Sequence, residues 1–247
     1  MSRVAVITGG GSGIGRAACE YLARHGHRIA VLDVVQESAD EVAATLRAEG
    51  AEALGLGVDV IDRGSIEESF AKVRSQLGRV EILVTSAAAA AFVPFEQITV
   101  DDWNDMMNVN LTGTFHCAQA AIADMVASGW GRIVTISSAA GQVGSPRQVH
   151  YSASKGGVIA FTKALALEYA ALGITVNTIP PFTVDTPMLR AAQSARDLPN
   201  PEVVAKMIPA RRLGTVDDIA ATCAFLCSEE AGYITGQVVA VNGGAVL

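Results

Sequence analysis

The chain has 247 residues, half of them hydrophobic and 17% charged, with a formal net charge of −7. That length and composition suit one large α/β domain with a sizeable core, and the acidic balance, without a basic tract, argues against nucleic acid as a partner. No apolar run reaches the ~18 residues of a membrane span, and the N-terminus lacks the three-part pattern of a signal peptide, so a cytoplasmic protein with no membrane partner is expected.

Val4–Thr8 is a short β-branched run, followed by Gly9-Gly10-Gly11-Ser12-Gly13-Ile14-Gly15 and then a helical pattern from Arg16. A glycine turn between a first strand and a first helix lets the backbone approach a pyrophosphate, which sits at the positive end of the helix. Arg28–Asp33 reads as a second strand ending in an acid. Asp33 lies at about the 20-residue distance from the turn expected of a carboxylate that binds a ribose 2′-hydroxyl. Such a carboxylate repels a 2′-phosphate, and neither Ser12 nor Val34 supplies a cation for one. The residues therefore favour NAD over NADP.

Helix- and strand-like segments then alternate. Helices are expected over Ser38–Glu49 and Ser65–Leu77, and strands over Ala53–Val58 and Val80–Val84. Asp101 and Asp102 mark the first turn of a long helix. Arg132–Ser137 reads as a strand, Tyr151–Leu172 as a helix, Ile174–Ile179 as a strand, Val216–Cys227 as a helix and Gln237–Val241 as a last strand. Such alternation specifies a parallel sheet with helices on both faces. Cys19, Cys117, Cys223 and Cys227 form no Cys-x-x-Cys pair and are expected to be buried thiols. The four histidines have no metal-ligand spacing, so no metal site is expected.

Tyr151-Ser152-Ala153-Ser154-Lys155 places a phenol and an ammonium four residues apart, on one face of the expected helix. A free phenol titrates near ~10, and a neighbouring cation favours the phenolate. Such a pair can move a proton on and off an alcohol oxygen near neutral pH.

Together these segments resemble the short-chain dehydrogenase/reductase family over about Val4 to Gly244. Thr8–Gly15 matches its cofactor turn, Asp59-Val60 its adenine-side acid, and Asn108-Val109-Asn110-Leu111 its helix asparagine. Ile136-Ser137-Ser138 carries the family's serine, and Tyr151 with Lys155 completes a tetrad with Asn110 and Ser138. Asn177, Pro181 and Thr186 resemble the segment that holds the nicotinamide carboxamide.

The resemblance implies a single Rossmann-type doubly wound domain over residues 1–247, with a seven-stranded parallel sheet in the order 3-2-1-4-5-6-7. Its dinucleotide-binding half would end near residue 140, with the catalytic helix, lid and C-terminal part beyond. It implies that Tyr151 exchanges a proton with the substrate oxygen, Lys155 lowers the Tyr151 pKa and binds ribose hydroxyls, and Ser138 positions the substrate. Asn110 would stabilise a helix bend and an ordered water. Expected cofactor contacts are Gly9, Gly11, Ser12, Gly13, Ile14, Gly15, Asp33, Asp59, Val60, Ala87, Ala88, Tyr151, Lys155, Pro181, Val184 and Thr186.

Two departures from the family pattern stand out. Thr85-Ser86-Ala87-Ala88 replaces Asn-Asn-Ala-Gly, and Ala88 adds a Cβ that disfavours positive φ. Pro181-Phe182 replaces Pro-Gly, so Phe182 is expected to narrow the substrate pocket. Substrate contacts are expected from Ser138, Gln142, Val143, Arg147, Phe182 and Met188, with Pro187–Met207 as a mobile lid. Their apolar bias points to a hydrophobic ketone or secondary alcohol as the small-molecule partner. A 3-oxoacyl reductase acting on acyl carrier protein or coenzyme A thioesters is the alternative. Against the carrier protein, Val126–Trp130 and Tyr169–Leu172 lack the cations that would dock it. A dinucleotide-binding sensor or scaffold without turnover is a further possibility from another class. The helices from Asp101 and Tyr151, and the tail from Val238 to Leu247, resemble the contacts of a homotetramer.

Overall fold

The computed structural model describes residues 2–247. Six strands form one parallel sheet in the order β3-β2-β1-β4-β5-β6: β1 Val4–Thr8, β2 Arg28–Asp33, β3 Ala53–Gly57, β4 Val80–Thr85, β5 Gly131–Ile136 and β6 Ile174–Ile179. β1, β5 and β6 are buried along their whole length, as strands covered on both faces must be. On one face, Ile7, Ile29, Val31, Ile82 and Val84 pack beneath α1 (Gly13–Arg24), α2 (Gln36–Ala48) and α10 (Val216–Leu226). On the other, Val4, Val6, Leu32, Leu83 and Ile133 meet α3 (Arg63–Gln76) and α5 (Gly113–Ser128), with α7 (Val149–Tyr169) beside them. Each fully buried aliphatic side chain contributes about 1.5–3 kcal/mol of transfer free energy.

The expected seventh strand at Gln237–Val241 is reduced to two isolated parallel bridges, Thr178 to Val238 and Pro181 to Val241. Pro180 and Pro181 follow β6 and carry no N–H, so the ladder loses consecutive donors on that side. Asn177 compensates in part. Its side chain accepts from Gln237 N at 3.0 Å and donates to Ile234 O at 2.7 Å.

The long helix expected from Asp101 is composite. Thr99 and Asp102 form a reciprocal capping box that starts α4 (Val100–Met107). A π turn follows at Asn108–Thr112, and α5 resumes at Gly113. The π turn inserts one extra residue into the ordinary helix register, and Asn110 within it is fully buried. The lid region contains α8 (Pro187–Ser194), capped by Thr186, and α9 (Pro201–Met207). A short helix, α6 (Ala140–Val143), precedes α7.

Strand order reverses between β1 and β4. A crevice opens at the carboxyl ends of strands wherever this happens, because the two flanking loops diverge to opposite faces. No helix among the described residues is long and apolar enough to cross a membrane.

Candidate active site

A cleft of about 1000 Å³ occupies that crevice, running from Asp33 and the glycine turn to Ser138 and Tyr151. At its floor, Gly9 adopts φ +63°, and a Cβ there would stand 2.8 Å from Ala87 N. A Cβ on Gly15 would strike Gly9 O. The turn thus lies flat against the loop after β4 only because both positions lack side chains. Thr8 Oγ1 ties the two loops by accepting from Ser86 N and Ala87 N, each at 3.2 Å.

Asp33 sits at the tip of β2 facing this turn. Its carboxylate accepts from Gly11 N at 3.0 Å and from Val35 N at 3.1 Å. Gly9, Ser12, Gly13, Ile14, Asp33, Asp59, Val60, Ala87, Ala88, Pro181, Val184 and Thr186 line the cleft, as do Tyr151 and Lys155. Gly11 and Gly15 are not part of that lining. Thr186 Oγ1 caps α8 by accepting from Leu189 N at 3.2 Å. A carboxylate beside a glycine turn that opens a helix, with a buried ammonium deeper in, is a donor and acceptor set that fits a dinucleotide.

Ala88 and Phe182 are not among the non-glycine residues with positive φ, which are Arg147, Arg196 and Arg211. The replacement of glycine at these two positions therefore introduces no left-handed strain. The cost at Thr85 is of another kind, because its buried hydroxyl finds no hydrogen-bond partner among the described residues.

β5 delivers Ser138 just past its end, and α7 delivers Tyr151 and Lys155 one turn apart. Ser138 Oγ accepts from Ala140 N at 3.1 Å, and its hydroxyl acts on the Tyr151 phenol in the direction that lowers the phenol pKa. Lys155 Nζ donates to Ile136 O at 3.0 Å and lies 5.9 Å from the centroid of the Tyr151 ring. Burial lowers the Lys155 pKa to about 8. Burial also pushes the Tyr151 phenol above its ordinary value, and the Ser138 hydrogen bond offsets part of that. The depressed phenol expected from the Tyr-x-x-x-Lys spacing is thus corrected. With its ammonium turned to Ile136 O, Lys155 does not outweigh the desolvation of the ring.

Asn110 forms a second layer. Its Oδ1 accepts from Ala89 N at 2.8 Å, and its Nδ2 donates to Ala89 O and to Ser154 Oγ, both at 3.0 Å. Ser154 in turn donates to Tyr151 O at 2.8 Å. Ser154 was visible in the sequence only as a small residue beside Lys155. Its role depends on the π turn that brings Asn110 to it.

Of the expected substrate contacts, Ser138, Val143, Phe182 and Met188 line the cleft, joined by Phe92, Gln148, Leu189 and Asp197. Gln142 and Arg147 lie outside that lining. Arg147 is engaged elsewhere, donating to Phe92 O at 3.1 Å and pairing with Asp197 at 2.9 Å. The four cysteines are all buried free thiols. Ser138 and Tyr151 together can hold a substrate oxygen and pass it a proton, a geometry suited to the carbonyl–alcohol interconversion.

A family model described as enoyl-(acyl carrier protein) reductase matches residues 9–246. The chain is 38% identical over 242 residues to the 3-oxoacyl-[acyl-carrier-protein] reductase FabG of Escherichia coli strain K12, covering 98% of this chain and 96% of the relative. It is 41% identical over 247 residues to an acetoacetyl-CoA reductase of Shinella zoogloeoides, covering 99% and 98%. A D-threitol dehydrogenase of Mycolicibacterium smegmatis is 38% identical over 242 residues, covering 98% and 92%. Among solved structures, gox2181 superposes with a TM-score of 0.94 at 32% identity, covering 99% of this chain and 95% of that one. A Brucella melitensis structure described as ribose-5-phosphate isomerase superposes with a TM-score of 0.92 at 33% identity, covering 99% and 92%.

Proposed function

The chain belongs to the short-chain dehydrogenase/reductase family of nicotinamide-dinucleotide oxidoreductases, and from that premise we propose that it interconverts 3-oxoacyl and 3-hydroxyacyl thioesters with NADH as its preferred reductant. The observation that carries this reading is the convergence of Ser138, Tyr151 and Lys155 at one end of a cleft whose other end presents Asp33. Two of the relatives above are named for 3-oxoacyl thioesters, one on acyl carrier protein and one on coenzyme A. That shared chemistry is favoured here over the general hydrophobic ketone read from the pocket residues.

In this reading Tyr151 gives its proton to the C3 oxygen, and Ser138 holds that oxygen in reach. Lys155 and Asp33 would each hold a ribose, the Gly9–Gly15 turn the pyrophosphate, and Asp59 with Val60 the adenine. Val184 and Thr186 would meet the nicotinamide carboxamide. The bound dinucleotide supplies the hydride. Asn110 and Ser154 fix the first turn of the catalytic helix, so that the phenol is held rather than swinging. Coenzyme A is favoured as the acyl carrier, because Val126–Trp130 and Tyr169–Leu172 offer no cation to an acidic carrier protein. Homotetramer assembly belongs to the same reading, through the exposed faces of α4, α5 and α7.

The test is a pair of measurements on the purified protein. Titration with NADH and NADPH is expected to show tighter binding of NADH. Turnover with acetoacetyl-CoA is expected to exceed turnover with simple apolar ketones in kcat/KM. The reverse substrate order would return the site to simple ketones. Tyr151→Phe is expected to lower turnover by about 10²–10⁴-fold with NADH binding kept, the size of a lost general acid. Equal activity of wild type and variant would instead support a dinucleotide-binding scaffold.

A further inference from the structure

Behind the catalytic cleft lies a second cavity of about 140 Å³. Val184, Ile208, Ala210 and Val241 supply its apolar wall and the Arg212–Asp218 ion pair part of its polar wall, and it opens to solvent where Ala210, Arg212 and Gly243 are exposed. It plays no part in the reaction described above. The cleft and the second cavity share one stretch of wall, Phe182-Thr183-Val184. Within that stretch the backbone is pinned on both sides. Pro181 O accepts from Ala139 N at 2.9 Å, and Thr183 O accepts from Gly214 N at 3.0 Å. Phe182 is the one large side chain in the shared stretch, a residue of both linings, and is 37% exposed. It stands where the family pattern has glycine.

We propose that the Phe182 ring is a partition between the catalytic cleft and this second cavity, and that it sets the length of acyl chain the site accepts. The proposal rests on the thioester reading and sharpens it: the chain as it stands favours short 3-oxoacyl groups such as acetoacetyl. An aromatic ring at this point stands between the cleft and the apolar wall formed by Ile208, Ala210 and Val241. Without it, a longer alkyl tail could continue past Thr183 into the volume lined by Ile208, Ala210 and Val241. Each further methylene buried there is worth about a fourfold gain in kcat/KM, from about 0.8 kcal/mol of transfer free energy. The specificity is thus negative in kind, an obstruction to long chains rather than an attraction to short ones.

The experiment compares wild type, Phe182→Ala and the double variant Phe182→Ala/Ala210→Leu on 3-oxoacyl-CoA substrates of increasing chain length, with NADH binding measured on each. Wild-type kcat/KM is expected to fall as the chain lengthens. In Phe182→Ala the ratio of long-chain to acetoacetyl kcat/KM should rise by at least tenfold. Ala210→Leu, which refills the second cavity from its far side, should remove that gain while leaving acetoacetyl turnover as in Phe182→Ala. An unchanged length profile in Phe182→Ala overturns the partition. A gain that survives Ala210→Leu overturns the route into the second cavity. If the wild type turns over no thioester, it is the thioester reading that has failed. The same three proteins assayed with 2-alkanones of increasing length then test the partition by the same ratios. Calorimetric titration with 1-octanol compares the three proteins without turnover, and equal uptake by all three also overturns the proposal.

Discussion

Lys155 is the residue at which burial and chemistry conflict most directly. It is 3% exposed, and its pKa falls from 10.5 to about 8 because desolvation disfavours the ammonium. Below about pH 8 the lysine is charged in both states, and the native protein carries the whole cost, on the order of 3 kcal/mol. Between about 8 and 10.5 the native lysine has released its proton and the unfolded one has not. The unfolded state then binds more protons, so stability rises with pH across that window. Tyr151 has the opposite sign, since its raised native pKa erodes stability above the ordinary phenol value. Urea unfolding of wild type and Lys155→Met at several pH values separates the two. The wild type is expected to gain on the variant as pH rises from about 8 towards 10, and a flat difference would mean the lysine is not desolvated.

Asp33 offers a second test at the same scale. Its carboxylate already accepts two backbone N–H bonds, so it is held in place before any ligand arrives. Asp33→Asn keeps the shape and removes the charge. Hydrogen bonds to a charged group are worth about 1.5–3 kcal/mol. The preference for NADH over NADPH should shrink by about tenfold or more, as read from paired fluorescence titrations.

At the scale of elements, Arg147 clasps three segments. Its guanidinium reaches Phe92 O from the loop after β4 and Asp197 from the lid, and its own carbonyl accepts from Val93 N at 2.7 Å. It also stands only four residues before Tyr151 on the approach to α7. The lid is therefore tied to the start of the catalytic helix. The ion pair is 47% and 24% exposed at its two side chains, which limits its worth in water. Arg147→Ala is expected to raise KM about two- to fivefold with kcat little changed. Added salt should raise the wild-type KM towards that of the variant, because screening weakens an exposed pair. Arg147 holds φ +62°, so Arg147→Gly should melt higher than Arg147→Ala by about 1 kcal/mol of stability.

For the whole molecule, the outer faces of α4, α5 and α7 carry large apolar side chains in water, among them Trp103, Phe115, Val149 and Leu167. Leu167 is 87% exposed on the catalytic helix itself. Large apolar side chains exposed on neighbouring helices mark a candidate association face. Light scattering of the protein is expected to give four times the 25.6 kDa chain mass. Leu167→Glu should lower that mass, since charge buried without a partner opposes the contact. A monomer in the wild type would overturn the assembly.

The sequence by itself determined the parts of this protein that are local or periodic. Strand and helix alternation, the glycine turn after β1, the acid at the tip of β2 and the Tyr151–Lys155 spacing all follow from nearest-neighbour chemistry and repeat period, so they could be read off the chain. Only the tertiary structure decided the rest. The π turn directs Asn110 to Ala89 and Ser154, 21 and 44 residues away. Lys155 turns to Ile136 O, and burial of the Tyr151 ring reverses its expected shift. Arg147, read as a candidate for substrate, is spent on Asp197, 50 residues away. The sixth strand ends against two prolines, and a second cavity stands behind Phe182. Each of these depends on which side chains the packed sheet brings together. Contacts between residues far apart in the chain have no signature in local spacing, because the entropy of closing the intervening loop is met by the core as a whole.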